Sequence, residues 1–306
     1  MTRPRVSFEW GIHYACNFRC PYCWFDGKWH EVAPNNRYLP VDELAAQWDR
    51  VHEKYGECHV HIDSGEPSTY PGFFELAARM SKKHFIGITS NMSAPLERWK
   101  FLAENVDPAR FDIACSFHPQ MSEYAPFAEK VSYLKGKGFE AMSVVYVAYP
   151  PNLAQMERCK ERFASQGLIF QIQAFNGTYN GKSYPAAYSP DERRLMARMN
   201  GTLDEYYQTQ LEYQINAKKP KGRLCRAGYI HAFVDQRGQV FRCTMDQQTV
   251  LGNLFDGTFL LYDEPRYCEV EHCQCEWFWL VDEAHLRKGT LENVGPAAEA
   301  GQGTTP

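Results

Sequence analysis

The chain has 306 residues, long enough for one large domain or a large and a small one. Apolar residues at 44% and charged residues at 23% are those of a folded globular protein, and a net charge of −4 without a basic cluster argues against nucleic acid as partner. No apolar run nears the about eighteen residues of a membrane span, and Met1 to Arg5 leads into a strand-like segment rather than a signal-peptide core, so no membrane partner and a cytoplasmic location are expected.

The first two thirds alternate strand-like and helix-like stretches. The strand candidates are Val6 to Tyr14, His59 to Ser64, Phe85 to Asn91, Phe111 to Phe117, Ala141 to Tyr149 and Leu168 to Phe175. Between them, Val41, Leu44, Ala45, Trp48, Val51 and Tyr55 share one helical face with Gly56 as the stop, and further helices are expected at 71–83, 95–105, 127–137 and 153–165. Strands alternating with helices imply an α/β fold with a parallel sheet, read here as a partial (β/α)6 TIM-like barrel. Placing Val60 and Ile62 outward turns His59, His61 and Asp63 inward. The same parity turns Glu9, Gly11, His13, Thr89, Asn91, Asp112, Ser116, His118, Gln171 and Gln173 inward, a polar lumen suited to a small polar substrate. Cys115 falls on the opposite face, among Phe111, Ile113 and Phe117.

From Ser189 the pattern is helical, with Pro190 after a Ser189 cap, and it ends in the linker-like Lys218-Lys219-Pro220-Lys221-Gly222. Next come strand-like residues from Ile230 to Asp235, a turn at Gln236-Arg237-Gly238 and a return from Val240 to Cys243. This is a β-hairpin with Cys225 before it and Cys243 at its end, and Cys268, Cys273 and Cys275 follow. The chain divides into a barrel at 1–188, a helical linker at 189–222, a cysteine-bearing hairpin region at 223–285, and a tail at 286–306 expected to be disordered.

Eleven cysteines without a secretion signal point to metal or catalysis before disulfides. Cys16, Cys20 and Cys23 lie within eight residues, after the first strand. Three thiolates are one fewer than a cubane iron–sulfur cluster takes, which leaves one iron for a ligand that is not protein. For the C-terminal cysteines a structural zinc is the competing reading. Cys58, Cys115 and Cys159 sit among apolar residues as inert buried thiols.

The spacing C-x3-C-x2-C with Tyr22 before the last cysteine resembles the signature of the radical S-adenosylmethionine (SAM) superfamily, and Ser64-Gly65-Glu66-Pro67 after the second strand resembles its GGEP motif, with Ser64 in place of the first glycine. The resemblance implies that Cys16, Cys20 and Cys23 hold a 4Fe-4S cluster whose open iron chelates SAM, and that Ser64 to Pro67 hold its amino group. It places Tyr22 near the adenine, with Ser90, Asn91, Ser116 and Gln173 completing the cofactor site. The order of cysteines and glycines after Cys225 resembles the SPASM and twitch extensions. It implies a second, auxiliary 4Fe-4S cluster drawn from Cys225, Cys243, Cys268, Cys273 and Cys275, with one of the last three left over.

The activity this implies is reductive cleavage of SAM to a 5′-deoxyadenosyl radical, with electrons from a flavodoxin- or ferredoxin-type donor. The radical takes hydrogen from a sugar- or aminocyclitol-like substrate, which the auxiliary cluster helps to oxidise, and His61, Asp63 and His118 are the candidate proton acceptors. The alternatives are epimerisation or bond formation on a ribosomal peptide and, in another class, a non-catalytic electron carrier. A first strand beginning by Val6, with no leader-gripping module before it, favours the small substrate.

Overall fold

The structure is a computed structural model and describes residues 4–23, 29–201, 203, 205–217, 219–273 and 280–281. In chain order the parallel strands are β1 (Ser7–Gly11), β2 (His59–Asp63), β3 (Phe85–Ser90), β4 (Phe111–Ser116), β5 (Met142–Val147) and β6 (Ile169–Gln173). The helices between them are α1 (Trp29–Val32), α2 (Val41–Tyr55), α3 (Phe73–Met80), α4 (Leu96–Asn105), α5 (Tyr124–Gly136) and α6 (Leu153–Ala164). A short hairpin, β7 (Gly177–Tyr179) and β8 (Lys182–Tyr184), precedes α7 (Pro190–Asn200) and α8 (Glu205–Ile215). The remaining strands are β9 (Leu224–Cys225), β10 (His231–Val234), β11 (Gln239–Cys243), β12 (Asp246–Asn253) and β13 (Arg266–Tyr267).

The apolar spacing in α2 does what its period requires, burying Leu44, Ala45, Trp48 and Val51 against the sheet. Trp48 meets Trp10 at 5.2 Å and Phe8 at 5.5 Å between ring centroids, and Gly56, at φ 76°, ends the helix in a conformation that disfavours a side chain. Val60 and Ile62 are fully buried on the helix side, as the alternation predicted. Ser189 and Glu192 form a reciprocal cap at the start of α7.

The main sheet has nine strands in the order β12-β11-β10-β1-β2-β3-β4-β5-β6. This is an α/β fold with a large mixed sheet. The hairpin expected at 230–243 is present, but it does not stand apart. β10 pairs parallel to β1 through Ser7 with His231 and Glu9 with Phe233, so the C-terminal strands continue the sheet from its β1 edge.

The segment read as a helical linker packs on the other edge. The Ile172 N–H donates to Asn200 Oδ1 at 2.8 Å, the Asn200 amide returns a bond to the Ile172 carbonyl at 3.2 Å, and the Ala174 N–H donates to Gln214 Oε1 at 2.9 Å. Two helix side chains therefore satisfy backbone groups that β6, an edge strand, would otherwise leave open. The tail at 286–306 lies outside the described residues.

Candidate functional site

The C-terminal ends of the parallel strands, the loop after β1 and the face of α8 enclose one cavity of about 570 Å3. Cys16, Cys20 and Cys23 line it, as do Tyr22, His61, Asp63, Ser64, Gly65, Glu66, Ser90, Asn91, Ser116, His118 and Gln173. Pro67 is not in its wall. It is buried where a 3-10 turn, Pro67–Thr69, carries the chain away from the site. His13 was expected inward too, but its Nε2 bonds the Glu66 carbonyl at 2.9 Å and its ring packs on Tyr38 and Tyr70, so it braces the loop from behind.

The loop after β2 is held by its own residues. Gly65 has φ 54°, and a Cβ there would come within 2.3 Å of the Ala15 carbonyl oxygen, so its backbone lies directly on the cysteine-bearing loop. The Glu66 N–H donates to the same carbonyl at 2.9 Å. Ser64 also takes a positive φ, 63°, which costs a side-chain residue about 1 kcal/mol, and its hydroxyl is tied to Asp63 Oδ1 at 3.1 Å. Glu66 is buried, which raises its pKa, while donors oppose the rise: the Ser68 N–H at 3.1 Å, the Asn91 N–H at 2.6 Å and the Ser90 hydroxyl at 2.7 Å. Its carboxylate therefore rivets the loop to the end of β3.

The three thiols meet this loop. The Phe18 N–H points at Cys16 Sγ at 3.4 Å, the Asn91 amide lies 4.0 Å from the same sulfur, and the Cys23 N–H donates to the Cys20 carbonyl at 3.1 Å. Burial and the neighbouring Cys16 and Cys23 push the Cys20 thiol up to about 12. Tyr22 Oη is 3.0 Å from His118 Nδ1, and its ring lies 5.0 Å from that of Tyr149. Burial pushes His118 down to about 4, so it sits neutral beside Tyr22.

Deeper in the cavity, β1 to β4 place Glu9, His61, Gly87 and Asp112 in one register row. Burial raises Asp112, but His59, at 2.7 Å from its Oδ2, and His61 hold its carboxyl well below the usual range. His61 Nε2 lies 2.8 Å from the Thr89 hydroxyl. Asp63 is raised by burial, opposed by His61 and by hydrogen bonds with Ser64 and Glu9, and Glu9 in turn accepts from the Thr244 hydroxyl. The fifth strand, too uniformly apolar to orient from sequence, turns Ser143, Val145 and Val147 to the cavity. Cys115 is buried and absent from the lining, packed away from the cavity as its parity predicted.

Sequence reasoning missed Tyr207, Gln210, Gln214, Thr244 and Met245 in the cavity wall. The signal was the polar spacing 207, 210, 214 on one face of α8, hidden by reading that helix as a spacer.

The second cysteine group also assembles. β13 pairs with β9 so that Arg266 faces Cys225, and the Cys268 N–H donates to the Arg223 carbonyl at 2.9 Å. The hydrogen bond between Cys225 and Cys268 pushes Cys225 up and Cys268 down. Burial pushes Cys243 up to about 12, with Cys273 close enough to add to the rise. Cysteines from separate chain segments thus lie near one another, Cys268 beside Cys225 and Cys273 toward Cys243, although no three of these sulfurs lie within 4.8 Å of one another. Cys275 lies outside the described residues.

Residues 11–115 match the Radical SAM superfamily. That stretch holds the three cysteines, the riveted loop and the parallel strands β2 and β3.

Among curated proteins, it is 34% identical over 92 residues to GTP 3′,8-cyclase of Klebsiella pneumoniae (strain 342), a match that spans 28% of this chain and 28% of the cyclase. Among solved structures, anSMEcpe with bound AdoMet aligns with a TM-score of 0.57 at 18% identity, over 83% of this chain and 76% of that one. Streptococcus suis SuiB aligns with a TM-score of 0.59 at 15% identity, over 93% and 67%. SuiB has also been solved with the precursor peptide SuiA, and anSMEcpe with AdoMet and the Cp18Cys peptide. At these identities the likeness is one of fold. No helix among the described residues is long and apolar enough to cross a membrane.

Proposed function

We propose that this chain is a radical SAM enzyme that modifies a peptide by hydrogen-atom abstraction. The observation that carries the SAM reading is the approach of three cavity-lining cysteines to a loop whose Gly65 backbone and Glu66 carboxylate are locked to Ala15 and to β3. Cys16, Cys20 and Cys23 would hold a 4Fe-4S cluster with one iron open to SAM, and the bound cofactor supplies a 5′-deoxyadenosyl radical. Ser64, Gly65, Ser90 and Asn91 line the position for the methionyl end, with Ser116 and Gln173 on the remaining wall. Tyr22, fixed by His118 and Tyr149, offers a ring face for the adenine. In this arrangement the sheet is a partial barrel, and the residues facing the cavity surround the substrate.

A peptide is favoured over a free sugar or aminocyclitol by the fold shared with SuiB and anSMEcpe. The polar wall of Asp63, Thr89, Gln171 and Gln173 supports a small polar substrate as the second reading. His61, Asp63 and His118 all line the cavity and are the candidate proton acceptors. Cys225, Cys243, Cys268 and Cys273 would hold the auxiliary cluster, with a flavodoxin- or ferredoxin-type protein as electron donor.

The test is anaerobic reconstitution followed by SAM and dithionite. The wild-type protein forms 5′-deoxyadenosine and binds about eight irons per chain, and Cys20→Ala forms none while keeping about four. An electron carrier would give no 5′-deoxyadenosine with either protein, and a zinc in the C-terminal set would leave the wild type with about four irons.

A further inference from the structure

His59 and His61 stand two residues apart on β2 and point to the same side of the sheet, as strand alternation requires. Asp112 stands on β4, and between the two strands the register puts Gly87 of β3. One ligating atom from each of His59, His61 and Asp112 lies within 4.8 Å of the other two. His59 Nε2 is 2.7 Å from Asp112 Oδ2, and His61 Nδ1 is 3.6 Å from Asp112 Oδ1. Ligands at right angles around an ion with bonds of about 2.1 Å are about 3 Å apart, between these two separations.

Gly87 shows where the donors aim. A Cβ on it would lie 2.2 Å from His61 Nδ1, 3.0 Å from Asp112 Oδ1 and 3.0 Å from His59 Nε2, so the three atoms converge on space that any other residue would fill. Its backbone is ordinary strand, so the space rather than the conformation calls for glycine. Thr89 completes the pattern. Its hydroxyl engages His61 Nε2 at 2.8 Å while Nδ1 faces Asp112, the arrangement that orients metal-bound imidazoles. The cavity wall beside it carries Glu9, Asp63, Glu66 and Asp112, and its described lining includes no lysine or arginine.

We infer that His59, His61 and Asp112 form a binding site for a divalent first-row transition ion, held over Gly87 at the cavity wall. Two imidazoles and one carboxylate suit such an ion and leave coordination positions open. His61 and Asp112 line the cavity, so an open position there could take an oxygen donor of a bound substrate. The inference does not depend on the SAM reading.

The probe is Mn2+, which prefers nitrogen and oxygen donors to thiolates, titrated into protein whose cysteines are already loaded with iron–sulfur clusters. Electron paramagnetic resonance is expected to count one bound Mn2+ per chain, with pulsed spectra showing 14N coupling from the imidazoles. Asp112→Asn, nearly the same shape, should weaken binding more than about 100-fold, beyond the effect of losing a supporting contact. Gly87→Ala keeps all three ligands but fills the space between them and should also abolish the site. Circular dichroism and iron content establish that each variant is folded. If Gly87→Ala does not fold, Asp112→Asn decides alone. Wild-type protein that binds no Mn2+ with 14N coupling overturns the inference and leaves a hydrogen-bonded triad. Binding that survives in the folded variants overturns it equally. Formation of 5′-deoxyadenosine in the same samples reports on the SAM site separately.

Discussion

Gly65 and Glu66 divide the work of one loop. The glycine lets the backbone press onto Ala15, where a side chain would collide, and the glutamate spends its carboxylate on the end of β3. Gly65→Ala is therefore expected to cost about 1–3 kcal/mol in urea denaturation, from a strained φ and a displaced cysteine loop. Equilibrium dialysis should show SAM binding lost even where the variant folds. Unchanged SAM affinity would mean that the loop does not touch the cofactor. Ser64 was legible in the sequence as a departure from a glycine, but its tie to Asp63 was not, because no spacing rule says which neighbour a hydroxyl at positive φ will choose.

At the scale of elements, His84 shows how a helix and two strands share one buried ring. Its Nε2 bonds the Trp48 carbonyl of α2 at 2.9 Å, and its Nδ1 accepts from the Cys58 N–H at 3.2 Å, so both nitrogens are used only when the ring is neutral. Burial lowers its pKa from 6.5. A base depressed in the folded state stabilises fully above pH 6.5 and loses that contribution as pH falls toward the folded value, because the unfolded chain takes the proton first. Urea midpoints should therefore fall between pH 7.5 and 5, and His84→Gln should flatten the slope while lowering stability at pH 7.5. An unchanged slope in the variant would assign the acid sensitivity elsewhere. Alternation and helical period made α2, the parallel strands and the inward parity of His61, Asp63, Asp112 and Ser116 readable from sequence. The places of α7 and α8 were not readable, since Asn200 and Gln214 look like surface amides until β6 is seen as an edge that lacks partners.

Across the whole molecule, strands next to both cysteine groups join one nine-stranded sheet. Cys16, Cys20 and Cys23 lie after the first strand, while Cys225 precedes β10, which pairs onto that same strand, and Cys243 ends β11 on the far side of β10. Each group was visible as a cluster in the sequence. That β10 and β11 extend the sheet whose first strand leads toward Cys16 was not, because β10 joins β1 across more than two hundred residues in a parallel pairing that leaves no local signal. Between the groups, the register row of Glu9, His61, Gly87 and Asp112 supplies the polar wall against which a substrate would lie.

The central claim is that the iron not bound by Cys16, Cys20 or Cys23 binds SAM. It is tested most directly by electron–nuclear double resonance on the reduced, reconstituted protein with SAM carrying 15N at the methionyl amino group. The prediction is a 15N coupling strong enough for a direct iron–nitrogen bond, absent in Cys20→Ala. A fully reduced N-terminal cluster that shows no such coupling at saturating SAM would contradict it.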